Sequence, residues 1–110
     1  ALNMVADQIG GPTPASAIAA ACAKIATEIT KSGTYHFSGA PDASWADFAR
    51  EIFSQDNRSI TVTGIETSDY PTPAKRPLNS RLDCASLQSD FNIVQPLWKQ
   101  ELVKVTSELI

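Results

Sequence analysis

Residues 7–13 read DQIGGPT, and a second proline follows at Pro14. Two glycines and two prolines within five positions build a stiff turn, to which Asp7, Gln8 and Thr13 bring polar side chains. Upstream, Leu2–Ala6 is a short apolar run with strand character that ends at this turn. Downstream, Thr13 fits a helix N-cap and Pro14 the first helical position, where a missing N–H costs nothing. The helix is predicted to run to about Lys31 and to stop at Gly33, with a cation in its last turn. Its alanines lie on several faces, which predicts close packing on more than one side. A strand passing through a constrained polar turn into a helix is the unit from which the fold is read.

Working outward, Thr34–Ser38 (TYHFS) alternates as a short strand, and Ser44 caps a second helix. In that helix Trp45, Phe48, Ala49, Ile52 and Phe53 form an apolar stripe at helical spacing. Ile60–Ile65 (ITVTGI) alternates β-branched apolar residues with threonine, as a strand with one buried face does. Residues 67–82 form a long proline-rich loop containing SDYPTPAKRP, longer than an ordinary connection and so a candidate for function. Asp83 can cap a short helix carrying Leu87 and Phe91. Pro96 opens a last helix with Trp98, Leu102, Val105 and Leu109 on one face. Helices between Leu2–Ala6 and Ile60–Ile65 provide the crossover that parallel pairing requires. The fold class expected is α/β (α+β if taken alone): mainly helical, with a small parallel two-stranded sheet and Thr34–Ser38 as an open edge strand.

The chain has 110 residues, 43% hydrophobic and 19% charged, which suits one domain with one modest core. A net charge of −3 argues against a nucleic-acid groove, which needs a basic stripe. No basic cluster suited to an anionic membrane is present, Ala15–Ala26 is too short and too weakly apolar to span one, and no signal peptide is read. A cytoplasmic location is expected. Cys22 and Cys84 have no partners at metal-ligand spacing, and buried thiols are expected rather than a disulfide. The opening ALNMVAD lacks an initiator methionine and starts apolar, as the interior of a longer protein would. An engineered scar or natural processing would look the same.

No complete catalytic constellation is visible. The one histidine, His36, lies between Tyr35 and Phe37 and is assigned a structural role. The run IGG lacks the spacing and the preceding βα context of a dinucleotide fingerprint, and no metal site is read. Binding features are stronger. Lys75, Arg76 and Arg81 concentrate positive charge in an acidic chain, with Tyr70 a few residues upstream. A rigid loop carrying an arginine and an aromatic ring suits a phosphate with an attached planar base, and a solvated loop with paired arginines is the alternative.

Four motifs in order, DQIGGPT, GTYHFSG, SWADFA and YPTPAKRPLNSRLD, resemble the C-terminal third of the dTDP-4-dehydrorhamnose reductases, within the extended short-chain dehydrogenase/reductase group. The resemblance covers essentially the whole chain. It implies a two-part protein whose N-terminal Rossmann domain, absent here, holds NADPH or NADH and carries a Tyr-x-x-x-Lys pair. Thr34–Ser38 would then edge that absent sheet. The C-terminal part closes over a dTDP-sugar, whose 4-keto group is reduced to give dTDP-L-rhamnose for cell-surface polysaccharide such as lipopolysaccharide O-antigen. Neither the glycine-rich turn nor the Tyr-x-x-x-Lys pair occurs in this sequence, so no catalytic residue is assigned and the isolated chain is expected to be inactive.

The same resemblance assigns Gln8 and Thr13 in the turn to substrate binding, as polar contacts or as loop-fixing groups, and Tyr70 and Arg76 in the proline-rich loop to substrate binding, with Arg76 nearest the phosphates. Asp7 is given a structural role, because a carboxylate facing a diphosphate would repel it. Trp45 and Trp98 match family positions but lie on apolar stripes, so core packing is expected of both. Some members resemble magnesium-bridged homodimers that use glutamates after the PT turn and near the C-terminus. Ser16 stands at the first position and Glu108 at the second, and half a ligand set does not argue for magnesium. A homodimer by another mode stays open. Two other readings stand beside this one: the substrate domain of a different nucleotide-sugar epimerase, dehydratase or reductase, or a non-catalytic relative that binds a protein partner.

Overall fold

The computed structural model describes residues 1–28 and 31–108. In chain order the elements are β1 (Leu2–Val5), β2 (Ile9–Gly10), α1 (Ala15–Thr27), β3 (Ala43–Ser44), α2 (Trp45–Gln55), β4 (Val62–Ile65), β5 (Asn79–Ser80), α3 (Ala85–Phe91) and α4 (Trp98–Glu108). A single 3₁₀ turn, Thr67–Asp69, follows β4. β1 and β4 pair in parallel from Leu2↔Val62 to Val5↔Ile65, as the intervening helices predict. A second, three-stranded sheet has the order β3-β2-β5, with β2 antiparallel to β3 and parallel to β5. β5 lies inside the segment that reads as an uninterrupted loop. Its two residues carry no apolar alternation, and only their pairing with Ile9 and Gly10 makes them a strand.

Local chemistry accounts for the helices. The Ser44 hydroxyl accepts from the Asp47 N–H at 3.0 Å, and the Asp47 carboxylate accepts from the Ser44 N–H at 3.3 Å, a reciprocal cap that starts α2. α1 is capped differently from the expectation. Pro14 is its N-cap, without a side-chain hydrogen bond, because the Thr13 hydroxyl is engaged elsewhere. α1 also ends at Thr27 rather than near Lys31, and residues 29 and 30 of the expected extension lie outside the described residues. Ahead of α3, the Asp83 carboxylate accepts from the Ala85 N–H at 3.0 Å, one position upstream of the N-cap Cys84. The helix stops at Asn92 in the left-handed conformation. α4 starts at Trp98, two residues after Pro96, whose carbonyl is occupied by the Ala40 N–H.

One core cluster joins Ala21, Leu87, Phe91 and Ile93, with Ile25, Tyr35 and Phe37 packed against it. Trp98 and Leu102 are buried as their stripe predicts, Val105 is exposed, and Leu109 lies outside the described residues. Three expectations are corrected here. Residues 34–38 form no strand: among the described residues no strand lies beside them, and side chains hold them instead. Tyr35 meets Phe91 edge-on at 5.2 Å, and its hydroxyl donates to Asp90 at 2.7 Å, beside Lys31 at 3.1 Å. α1 packs on one side, burying only Ala21 fully, because alanine offers little apolar area to draw a second neighbour. The cysteines are free, as expected, but Cys22 is exposed and only Cys84 is buried. His36 is exposed as well.

The radius of gyration is 16.2 Å, against about 13 Å for a compact domain of this length. Large apolar side chains such as Leu78, Val94 and Leu97 stay half-exposed. Among the described residues no helix is long and apolar enough to cross a membrane.

Leu87, only 1% exposed, is the most enclosed side chain of this core cluster. Leu87→Ala is expected to cost about 2–5 kcal/mol, read as a fall in the denaturant midpoint, whereas Val94→Ala at an exposed position should leave the midpoint nearly unchanged.

Candidate functional site

The turn at residues 7–13 is fixed from both sides. The Asp7 carboxylate accepts the Thr67 N–H at 2.9 and 3.0 Å and the Thr67 hydroxyl at 2.6 Å. These bonds hold the Asp7 carboxyl below its ordinary pKa, the side-chain hydrogen bond from Thr67 being the largest cause and the Thr67 N–H the next. Gln8 Nε2 donates to the same Thr67 hydroxyl at 3.3 Å. On the other side, the Thr13 hydroxyl accepts the Gly39 N–H at 3.0 Å and donates to the Gly11 carbonyl at 2.8 Å. Here the glycines are needed for close approach. A Cβ on Gly39 would overlap the Pro12 carbonyl, and one on Gly11 would overlap the Gly39 carbonyl. The constraint built into DQIGGPT thus lets two chain segments cross in backbone contact.

The proline-rich loop is tied to this turn at both ends. Thr67 is bound to Asp7 at its start, while Asn79 and Ser80 pair with Ile9 and Gly10 at its end. The Ile9 N–H adds a bond to the Leu78 carbonyl at 2.9 Å. The intervening residues therefore arch beside the turn, and between them lies a cavity of about 830 Å³. This is within the roughly 300–1,000 Å³ range of small-molecule sites. Asn3, Met4 and Val5 of β1 line it, with Ser44, Trp45 and Phe48 from the start of α2.

All four binding residues expected from the sequence, Gln8, Thr13, Tyr70 and Arg76, line this one cavity. Among the described residues Arg76 is its only charged lining residue. Among the described residues Arg76 makes no ion pair, whereas Arg50 pairs with Asp47, Arg58 with Asp56 and Arg81 with Asp42. Lys75 and Arg81, the neighbouring cations, do not line the cavity. Thr13 and Gln8 hold the turn through the bonds above while also facing the cavity.

Two features were not visible in the sequence as site residues. Thr67 anchors the loop, but its link to Asp7 spans sixty positions and leaves no local signal. Trp45 is 55% exposed and lines the cavity, which corrects its expected place in the core. It stands at the first position of α2, where a helical stripe reports the face but not whether a neighbour reaches the helix end. Trp98 is buried, its Nε1 donating to the Pro41 carbonyl at 2.8 Å, as core packing predicts. His36, Cys22 and Cys84 do not line the cavity. Among the described residues no three His, Cys, Asp or Glu side chains converge as metal ligands.

The RmlD substrate binding domain family model matches residues 1–110. A dTDP-4-dehydrorhamnose reductase of Sinorhizobium fredii is 41% identical over an alignment taking in 99% of this chain and 40% of that protein. One from Aggregatibacter actinomycetemcomitans is 43% identical over 94% of this chain and 39% of that protein. The chain thus spans about 40% of the length of these curated relatives. A crystal structure of a dTDP-4-dehydrorhamnose reductase from Clostridium acetobutylicum superposes with a TM-score of 0.91 at 34% identity, over 97% of this chain and 38% of that one. One from Bacillus anthracis, in complex with NADP, gives 0.86 at 32% identity, over 96% of this chain and 37% of that one.

The Asp7–Thr67 link generates a pH-dependent prediction. A carboxyl whose folded pKa is depressed adds stability that is fully present above its unfolded pKa of about 3.9. That stability is lost as pH falls through the lower folded value. Asp7→Asn should therefore lower the melting temperature at pH 7, and the gap to the unsubstituted chain should close as pH falls below about 4. Thr67→Ser should retain most of the link and Thr67→Val should not. A gap that stays constant down to pH 2 would assign the effect to something other than this carboxylate.

Proposed function

The chain belongs to the RmlD substrate-binding domain family, and from that premise we propose that it is the sugar-nucleotide-binding part of an NAD(P)H-dependent dTDP-4-dehydrorhamnose reductase. The reaction is reduction of dTDP-4-keto-L-rhamnose to dTDP-L-rhamnose, in the cytoplasm, for bacterial surface polysaccharide. The observation that carries the reading is the charge of the cavity: in a chain of net charge −3, its only charged lining residue among the described residues is Arg76, which pairs with no carboxylate among them. A cavity so arranged attracts an anion, and a diphosphate is matched by a guanidinium.

In this role the chain binds and orients. Arg76 holds the diphosphate through charge-assisted hydrogen bonds. Its backbone is confined to extended conformations by Pro77, and Pro71 and Pro73 stiffen the approach, so little freedom is lost when the ligand arrives. Gln8 and Tyr70 offer polar groups along the same cavity, while Thr13 keeps the turn in place. Asp7, whose carboxylate is engaged by Thr67, does not line the cavity, so it is not set against the phosphates.

The residues of this chain do not fit a nicotinamide dinucleotide. Its one glycine pair, Gly10–Gly11, lacks the spacing of a dinucleotide fingerprint, and Gly11 serves instead the close backbone crossing with Gly39. NADPH or NADH is assigned instead to a Rossmann domain outside these residues, together with the proton donor. The half-exposed apolar side chains of this chain give such a domain a surface to cover. Magnesium is not part of the reading, since Ser16 has no carboxylate to offer beside Glu108.

Two measurements test this. The 110-residue chain alone should neither bind NADPH measurably nor reduce the 4-keto sugar nucleotide, and turnover by a pure sample would remove the reading. In the full-length reductase, Arg76→Ala should weaken dTDP-sugar binding by about 1.5–3 kcal/mol, roughly ten- to a hundredfold, with cofactor affinity nearly unchanged. Arg76→Lys should recover part of this loss, and Lys75→Ala should have little effect. Unchanged sugar-nucleotide affinity in a folded Arg76→Ala protein, measured by calorimetry, would refute the phosphate contact.

A further inference from the structure

We propose that Trp45 is the platform on which the planar pyrimidine base of the ligand stacks, an assignment that rests on the sugar-nucleotide reading of the cavity. Trp45 is 55% exposed in the cavity wall, yet the next residue, Ala46, is fully buried. A large apolar ring left open at the first position of a well-capped helix is costly to hydrate, and a cavity that presents one favours a ligand with a flat apolar face. The ring is also held. Trp45 meets Phe48 edge-on at 6.5 Å and 75°, and Phe48 meets the buried Trp98 at 5.5 Å and 60°. Trp98 is itself fixed by its hydrogen bond to the Pro41 carbonyl. Three rings thus run from the core to the cavity, and the last of them is the one exposed.

Tyr70 is the other exposed aromatic ring in the cavity, also at 55%. It sits on the loop, at the end of the 3₁₀ turn, and among the described residues it makes no ring–ring contact. Stacking on a ring already immobilised gives up less freedom than stacking on one that must first be ordered. That difference selects Trp45. With Arg76 as the single cation among the described residues of the cavity, base and diphosphate then have separate anchors on separate elements, α2 and the loop. The chemistry recognised is a nucleoside diphosphate rather than a sugar phosphate alone.

The test uses the full-length reductase with dTDP and dTDP-rhamnose as probes. Trp45→Ala should raise the Kd of both roughly 5- to 100-fold, the range that base–aromatic stacking spans. Trp45→Phe should restore most of that affinity. Tyr70→Ala should cost less than Trp45→Ala, and NADPH affinity should be unaltered throughout. Trp45 should contribute to the quenching of indole emission by dTDP, and that contribution should be lost in Trp45→Phe while dTDP still binds. That readout does not depend on the alanine variant folding. Unchanged dTDP affinity in a folded Trp45→Ala protein, or quenching undiminished in Trp45→Phe, would overturn the platform alone. So would an equal loss of NADPH affinity, which would make Trp45 a contact to the cofactor domain. If the unsubstituted reductase bound NADPH but no sugar nucleotide, the proposed function would fail and the platform with it.

Discussion

The cavity depends first on the bond between Asp7 and Thr67. A carboxylate that accepts both the N–H and the hydroxyl of one residue sixty positions away fixes where the proline-rich loop begins. The pairing of β5 with β2 fixes where it ends. Between those anchors the loop has little choice of path, since Pro71, Pro73 and Pro77 each restrict the backbone. The turn and the loop are therefore two sides of one site. The same bond keeps the Asp7 carboxylate turned to the Thr67 N–H and hydroxyl, and Asp7 does not line the cavity.

A second constraint places the turn itself. Gly11 and Gly39 allow the backbone of residues 10–13 to lie against that of residues 38–40, with the Thr13 hydroxyl bridging the two. The segment that follows leads directly to Ser44 and the reciprocal cap of α2. The crossing thus sets where α2 starts, and so where Trp45 and Phe48 meet the cavity. Packing carries the constraint further: Phe48 rests on Trp98, and α4 is held in turn by the reciprocal bonds between Ala40 and the Pro96–Trp98 segment.

Charge is distributed in the same economical way. The surface pairs at Arg50, Arg58 and Arg81 are exposed, and such pairs contribute about 0–1 kcal/mol each. Their value here is different. By occupying these guanidinium groups with nearby carboxylates, they leave Arg76 as the one arginine without an ion pair among the described residues. In a chain with net negative charge, that concentrates attraction at one point of the cavity.

Much of this was determined by the sequence alone. The parallel pairing of β1 with β4, the Ser44 cap and the burial of Leu87, Phe91, Trp98 and Leu102 follow from alternation, capping chemistry and helical spacing, all of which act within a few residues. The ordered motifs were enough to recognise the family, and they pointed to four of the residues that line the cavity. Tertiary structure decided the rest. Thr13 reads as a helix cap, yet its hydroxyl is taken by Gly39, because a bond to a distant backbone N–H competes with the local one. Residues 34–38 alternate like a strand, but a strand needs a neighbour, and side-chain contacts to α3 hold them instead. Trp45 shares an apolar stripe with buried residues, but a stripe describes a face and not how far the covering neighbour extends. The sequence sets what each segment can do locally. Which distant partner satisfies it is decided only when the folded chain brings the candidates together.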